Sequence, residues 1–156
     1  MFKKVIKRFF LGLLVVFVAI QFFRPAKNLA ASPSAGDLMA KYPPPPAVRK
    51  ILTTSCYDCH SNTTHYPWYA EIQPIAWWLK SHVEDAKDAV NFSEFADYSL
   101  KRAKAKLEDC TDEVTDKSMP LPSYLIIHRA ARLTPEQAKQ LTDWFDSVHD
   151  QLEAGS

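Results

Sequence analysis

Apolar residues run from position 9 to 23 with only Gly12 and Gln21 interrupting, so this segment is hydrophobic all round rather than along one stripe. At about 1.5 Å per residue the run is a little over 20 Å long. Counting back to Val5, with Lys7 and Arg8 snorkelling, approaches the roughly 30 Å of a bilayer core. The pattern therefore predicts a transmembrane signal anchor over residues 1–27. Lys3, Lys4, Lys7 and Arg8 precede the run and place that end in the cytoplasm. The expectation is a single-pass inner-membrane protein whose remaining bulk faces the periplasm. A cleaved signal would begin the same way, but residues 28–32 offer a poor small-x-small site, and Arg24 and Lys27 directly follow the run.

Residues 28–46 are small, polar and proline-rich, ending in four prolines, which predicts a stiff spacer. Helical periodicity begins after it. A helix over 47–54 would turn Val48, Ile51 and Leu52 to one side, with Cys56 continuing that face. A second, over about 75–90, carries Ile75, Leu79, His82, Ala86 and Ala89 at helical spacing. Asn91, Phe92 and Ser93 read as a stop and a new cap. The next helix reaches about Val114, with Ala103, Leu107, Cys110 and Val114 aligned. The stretch SMPLPSY (118–124) has two prolines in four residues and cannot be helix interior. In the last helix Thr134 suits the N-cap, Pro135 the first helical position, and Gln137 completes a capping box. Ala138, Leu141, Trp144 or Phe145, and Val148 form its buried stripe. No strand pattern or repeat emerges, so the fold class is all-α, with the folded domain over 47–150.

Composition adds two points. Glycine is scarce (3) and proline abundant (11), which suits helices joined by stiff loops. The net charge of +1 hides a split, because six of the 19 cations lie in residues 1–27 with no acid. The other 13 face 18 carboxylates, a net of −5, which does not make a nucleic-acid-binding surface.

The chemistry centres on Cys56, Cys59 and His60, a C-x-x-C-H. In c-type haem attachment the two thiols form thioethers to the haem vinyl groups and the histidine ligates iron. A zinc site would need a second Cys/His pair downstream, and Cys110 stands alone. A thioredoxin-like dithiol would follow a strand, and none is indicated. A structural disulfide would leave His60 a coincidence. Haem c, with its iron, is the cofactor that uses all three residues.

An electron-transfer haem needs a second axial ligand, and the choices are Met39, His65, His82, Met119, His128 and His149. Met119 is favoured, since it lies far enough along the chain to cross the haem and Pro120 and Pro122 stiffen its loop. Methionine ligation would raise the potential. His82 is the alternative distal ligand. Tyr66, Trp68, Tyr69, Trp77 and Trp78 offer rings for a haem wall. Cys110 reads as a buried inert thiol, and KRAKAK (101–106) as a solvated helix face.

The order of motifs, CYDCHSNTTHYPWYAEIQPIAWWLKSHVEDAKDAVNFSEF followed by MPLPSYLIIHRAARLTPEQAKQLTDWF, resembles the bacterial haem-binding domain family over about residues 38–147. That family is a cytochrome c-like, typically exported group with one C-x-x-C-H. The resemblance implies haem attachment at Cys56, Cys59 and His60 and makes Met119 the matching distal position. Two departures stand out. Glycine is common after the histidine matching His82, where this chain has Glu84-Asp85-Ala86, and an aromatic that is usually Trp is here Phe95. The combined expectation is a membrane-anchored monohaem c-type cytochrome, not an enzyme, which passes single electrons to a redox partner protein. The alternatives are a haem-based gas or redox sensor and a peroxidase-associated module.

Overall fold

Thr134 opens the longest helix as its sequence demands. Its hydroxyl accepts from the Gln137 amide at 3.2 Å, and the Gln137 side chain accepts from the Thr134 amide at 2.9 Å. In a computed structural model describing residues 2–30 and 34–155, this capped helix is the last of eight. They are α1 (Phe2–Ile20), α2 (Leu38–Lys41), α3 (Pro46–Ser55), α4 (Tyr57–His60), α5 (Ile75–Ala89), α6 (Leu100–Thr115), α7 (Pro122–Leu125) and α8 (Pro135–Ala154). Short 3-10 segments occupy Trp68–Glu71, Phe92–Asp97, which is kinked at Glu94, and Arg129–Ala131. Among the described residues there is no strand, only one antiparallel bridge between Leu29 and Thr63. The all-α expectation holds.

The core forms where α8 packs on α6 and α3. Leu141, Phe145 and Val148 of α8 meet Leu107 of α6 and Leu52 of α3, all essentially without exposure. Ala103, Leu107 and Val114 are buried as their spacing requires, with Cys110 half-buried beside them. In α5 the buried positions are Ala76 and Val83 instead of the anticipated Ile75, Leu79 and His82. Those three border an apolar cavity instead.

The amino-terminal expectation is overturned. No helix among the described residues is long and apolar enough to cross a membrane. Helix α1 has 19 residues, but Lys3, Lys4, Lys7 and Arg8 occupy its first two turns. Its uncharged part, 9–20, is about 18 Å long, well short of the roughly 30 Å needed. The helix stops at Ile20 because the next residues are tied to the domain. The Gln21 side chain accepts from the Gln73 amide at 2.9 Å and donates to the Gln73 carbonyl at 3.2 Å. A hydropathy run cannot register that turn. The transmembrane helix, anchoring to the membrane through it and the single-pass inner-membrane location fall with it.

Residues 21–30 form a strap. The Phe23 carbonyl accepts from Gln73 Nε2 at 3.1 Å and Trp77 Nε1 at 2.8 Å, and Arg24 and Lys27 pair with Glu71. Asn28 donates from Nδ2 to the Ser61 carbonyl at 2.8 Å and Thr64 Oγ1 at 3.0 Å, and accepts from Lys87 at 3.0 Å. Residues 31–33 of the expected spacer, the first two of which also belong to the poor cleavage site, lie outside the described residues. Beyond them the proline-rich stretch enters the core through Leu38 and Met39, both buried. Asp37 caps this turn, its Oδ1 accepting from the Met39 amide at 2.9 Å and the Tyr57 hydroxyl at 3.1 Å.

Candidate functional site

Helix α3 runs directly into the single turn of α4, which brings Cys56, Cys59 and His60 together. The Cys56 amide still donates to Leu52 at 3.0 Å, and its own carbonyl accepts from the Cys59 and His60 amides at 3.2 and 3.0 Å. His60 Nδ1 lies 3.1 Å from the Val90 carbonyl. A carbonyl can only accept, so Nδ1 carries the proton and Nε2 presents its lone pair. Burial lowers the His60 pKa, against hydrogen bonds to the Val90 and Ala86 carbonyls that raise it. The neutral ring, the form that ligates metals, is the one favoured. Phe92 flanks it at 5.7 Å between ring centroids.

A cavity of about 440 Å³ opens here, lined by Cys56, His60, Phe92, Cys110, Met119 and Phe145. Met119 reaches it because α6 is closed by Lys117 in the left-handed region (φ 60°). The chain reverses there, and the Ser118 and Met119 amides both return to the Glu113 carbonyl, at 3.0 and 3.1 Å. A second cavity, of about 620 Å³ and almost wholly apolar, lies against Cys59, with Tyr69, Trp78, Leu79, Leu121 and Tyr124 on its walls. The two thiols of the motif thus face different spaces. No disulfide joins the three cysteines. Burial first, then the neighbouring Cys59 thiol, pushes Cys56 up to about 12, and burial first, then the Asp58 carboxylate, pushes Cys59 up to about 11. Dithiol oxidoreductases lower the pKa of the attacking thiol, so this pair has the opposite bias.

The other ligand choices scatter. His82 borders the second cavity, 4.2 Å from the Trp78 ring, with Nδ1 3.0 Å from the Trp78 carbonyl. His128 borders the same cavity, its Nδ1 3.1 Å from the Tyr124 carbonyl and its Nε2 3.3 Å from the Tyr69 hydroxyl. His65 is exposed beside Asp58, His149 lies 3.1 Å from Glu108, and Met39 is in the core. Of the six, Met119 alone shares the His60 cavity. Of the proposed haem wall, Trp68, Tyr69 and Trp78 border the second cavity, whereas Tyr66 and Trp77 are taken up by the strap.

The sequence profile of the haem-binding domain family matches residues 15–147. The chain belongs to the haem-binding domain family. No curated protein and no solved structure matches it. As a haem-binding protein, the chain has side chains that suit the group. A neutral imidazole has one nitrogen free, each of the two thiols borders a cavity, and the walls are largely apolar. Sequence reasoning missed the Val90 carbonyl and Phe92, which fix the His60 ring. Only the NFS stop at 91–93, three elements away, hinted that this segment packs on the motif. It also missed Asp58 and Tyr124, which lie inside the two most distinctive motifs but show no chemistry until paired.

Proposed function

We propose that the protein is a one-electron carrier whose haem would be held covalently, with Cys56 and Cys59 supplying the thioether sulfurs and His60 Nε2 and Met119 Sδ donating to the iron. The observation that carries this reading is that His60 and Met119 line one cavity while the His60 ring is fixed by its other nitrogen. Bound haem would supply exchange of one electron between ferric and ferrous iron. The chain's own residues do the rest. The Val90 carbonyl holds the imidazole in one tautomer, which increases its donor strength. Phe92 and Phe145 present apolar rings to the cavity, and the surroundings of the two ligands would set the potential. No residue is required to act on a substrate, and the electron passes to a redox partner protein.

Met119→Ala tests the distal assignment. The full chain, co-expressed with c-type maturation proteins, should carry covalent haem in both forms and show a far-red methionine–iron band only in wild type. A band absent from wild type, or persisting in the variant, would remove Met119 from the iron.

A further inference from the structure

Asp58 sits inside the attachment motif, between Cys56 and Cys59, and its carboxylate faces the loop that carries Met119. Its Oδ2 accepts from the Tyr124 hydroxyl at 2.9 Å. Its Oδ1 accepts from the His65 amide at 3.3 Å and lies 3.0 Å from His65 Nδ1. Thr64 Oγ1 donates to the Asp58 carbonyl, which fixes the backbone that carries the carboxylate. Among the described residues this is the one side-chain hydrogen bond joining the segment 119–125 to α4. We propose that the Tyr124–Asp58 hydrogen bond is a latch that holds the Met119 loop closed over the attachment turn, making both residues positioning residues for the second axial ligand.

The inference rests on the haem reading above and adds to it a device that keeps the sixth position filled. Between Met119 and Tyr124, Pro120 and Pro122 fix two φ angles, so little slack separates the latch from the ligand. Behind Tyr124, the His128 ring stacks at 4.0 Å and 12°, and the His128 amide donates to the Tyr124 carbonyl at 3.0 Å. The phenol therefore has one well-held orientation. Burial, with the adjacent Asp58 carboxylate, pushes the Tyr124 pKa well above its ordinary value and keeps the hydroxyl a donor. Opening the loop would leave the carboxylate without that donor. The latch thus acts on access to the iron without touching it.

Tyr124→Phe removes one oxygen and keeps the ring and its stacking. In the haem-loaded full chain, this variant should bind imidazole at ferric iron about tenfold more tightly, the lower end expected for a charge-assisted hydrogen bond that is half-exposed. Asp58→Ala should do the same, and the double variant should add nothing further. Imidazole affinity within twofold of wild type in Tyr124→Phe, or additive effects in the double variant, would overturn the latch. Hydrogen exchange at the Met119 and Leu125 amides of the full chain without haem reads the latch independently. Faster exchange in Tyr124→Phe is expected, and unchanged rates would overturn it. A wild type without covalent haem would sink the haem reading alone, with the exchange measurement still deciding the latch.

Discussion

Phe92→Ala probes how the core supports the site. Phe92 is 2% exposed, stacks on Tyr57 at 5.4 Å and Phe145 at 6.4 Å, and packs against His60 at 5.7 Å. Losing the ring forfeits a transfer term of about 1.5–3 kcal/mol. The lost packing and the void it leaves bring typical Phe→Ala costs to about 3–5 kcal/mol. Phe92 also lines the 440 Å³ cavity, so the new void merges with existing space that water can enter. That places the loss near 3 kcal/mol, at the lower end of the range. Urea unfolding of the full chain without haem measures it, with Phe2→Ala on the exposed face of α1 as a control within about 0.5 kcal/mol. A loss below about 1 kcal/mol would show that the aromatic cluster is not a supporting wall for His60.

Cys110, its thiol pushed up to about 12 by burial first and then by Cys56, gives a pH dependence. The unfolded chain loses that proton near 9 and the folded chain keeps it, so the thiol's contribution is complete below pH 9 and falls away from there towards 12. Between pH 9 and 10.5, unfolding free energy of the haem-free chain should fall about 1 kcal/mol per pH unit more steeply in wild type than in Cys110→Ala; equal slopes would refute the buried thiol. Asn28→Ala removes the strap's two donations to the 61–64 loop and its acceptor for Lys87. It should cost about 2 kcal/mol and speed amide exchange at Thr64, whose N–H donates to the Asn28 carbonyl. A change under about 0.5 kcal/mol would mean that the strap is not part of the folding unit.

What the sequence revealed was local. Thr134 and Gln137 are three residues apart, and the box they form depends on little else. Cys56, Cys59 and His60 lie within one helical turn, so their proximity follows from α4 alone. What escaped it was tertiary. The apolar run 9–23 continues past the end of its helix at Ile20, because Gln21 is drawn onto Gln73 52 residues away. Leu38 and Met39 are buried although prolines surround them, since Asp37 caps a short turn there against Tyr57. In α5, hydrophobic spacing alone could not tell a face packed in the core from one bordering an open apolar cavity. The Asp58–Tyr124 pair spans 66 positions, and neither residue is unusual until the fold joins them.

The proposed electron carrier depends on Cys56 and Cys59 anchoring the haem. Intact-mass measurement of the full chain after co-expression with c-type maturation proteins tests it most directly, alongside Cys56→Ser/Cys59→Ser. Wild type should retain the mass of one haem after acid–acetone extraction, carried on the one peptide that contains Cys56 and Cys59, and the double variant should retain none. Haem that extracts completely from wild type would contradict covalent attachment at Cys56 and Cys59.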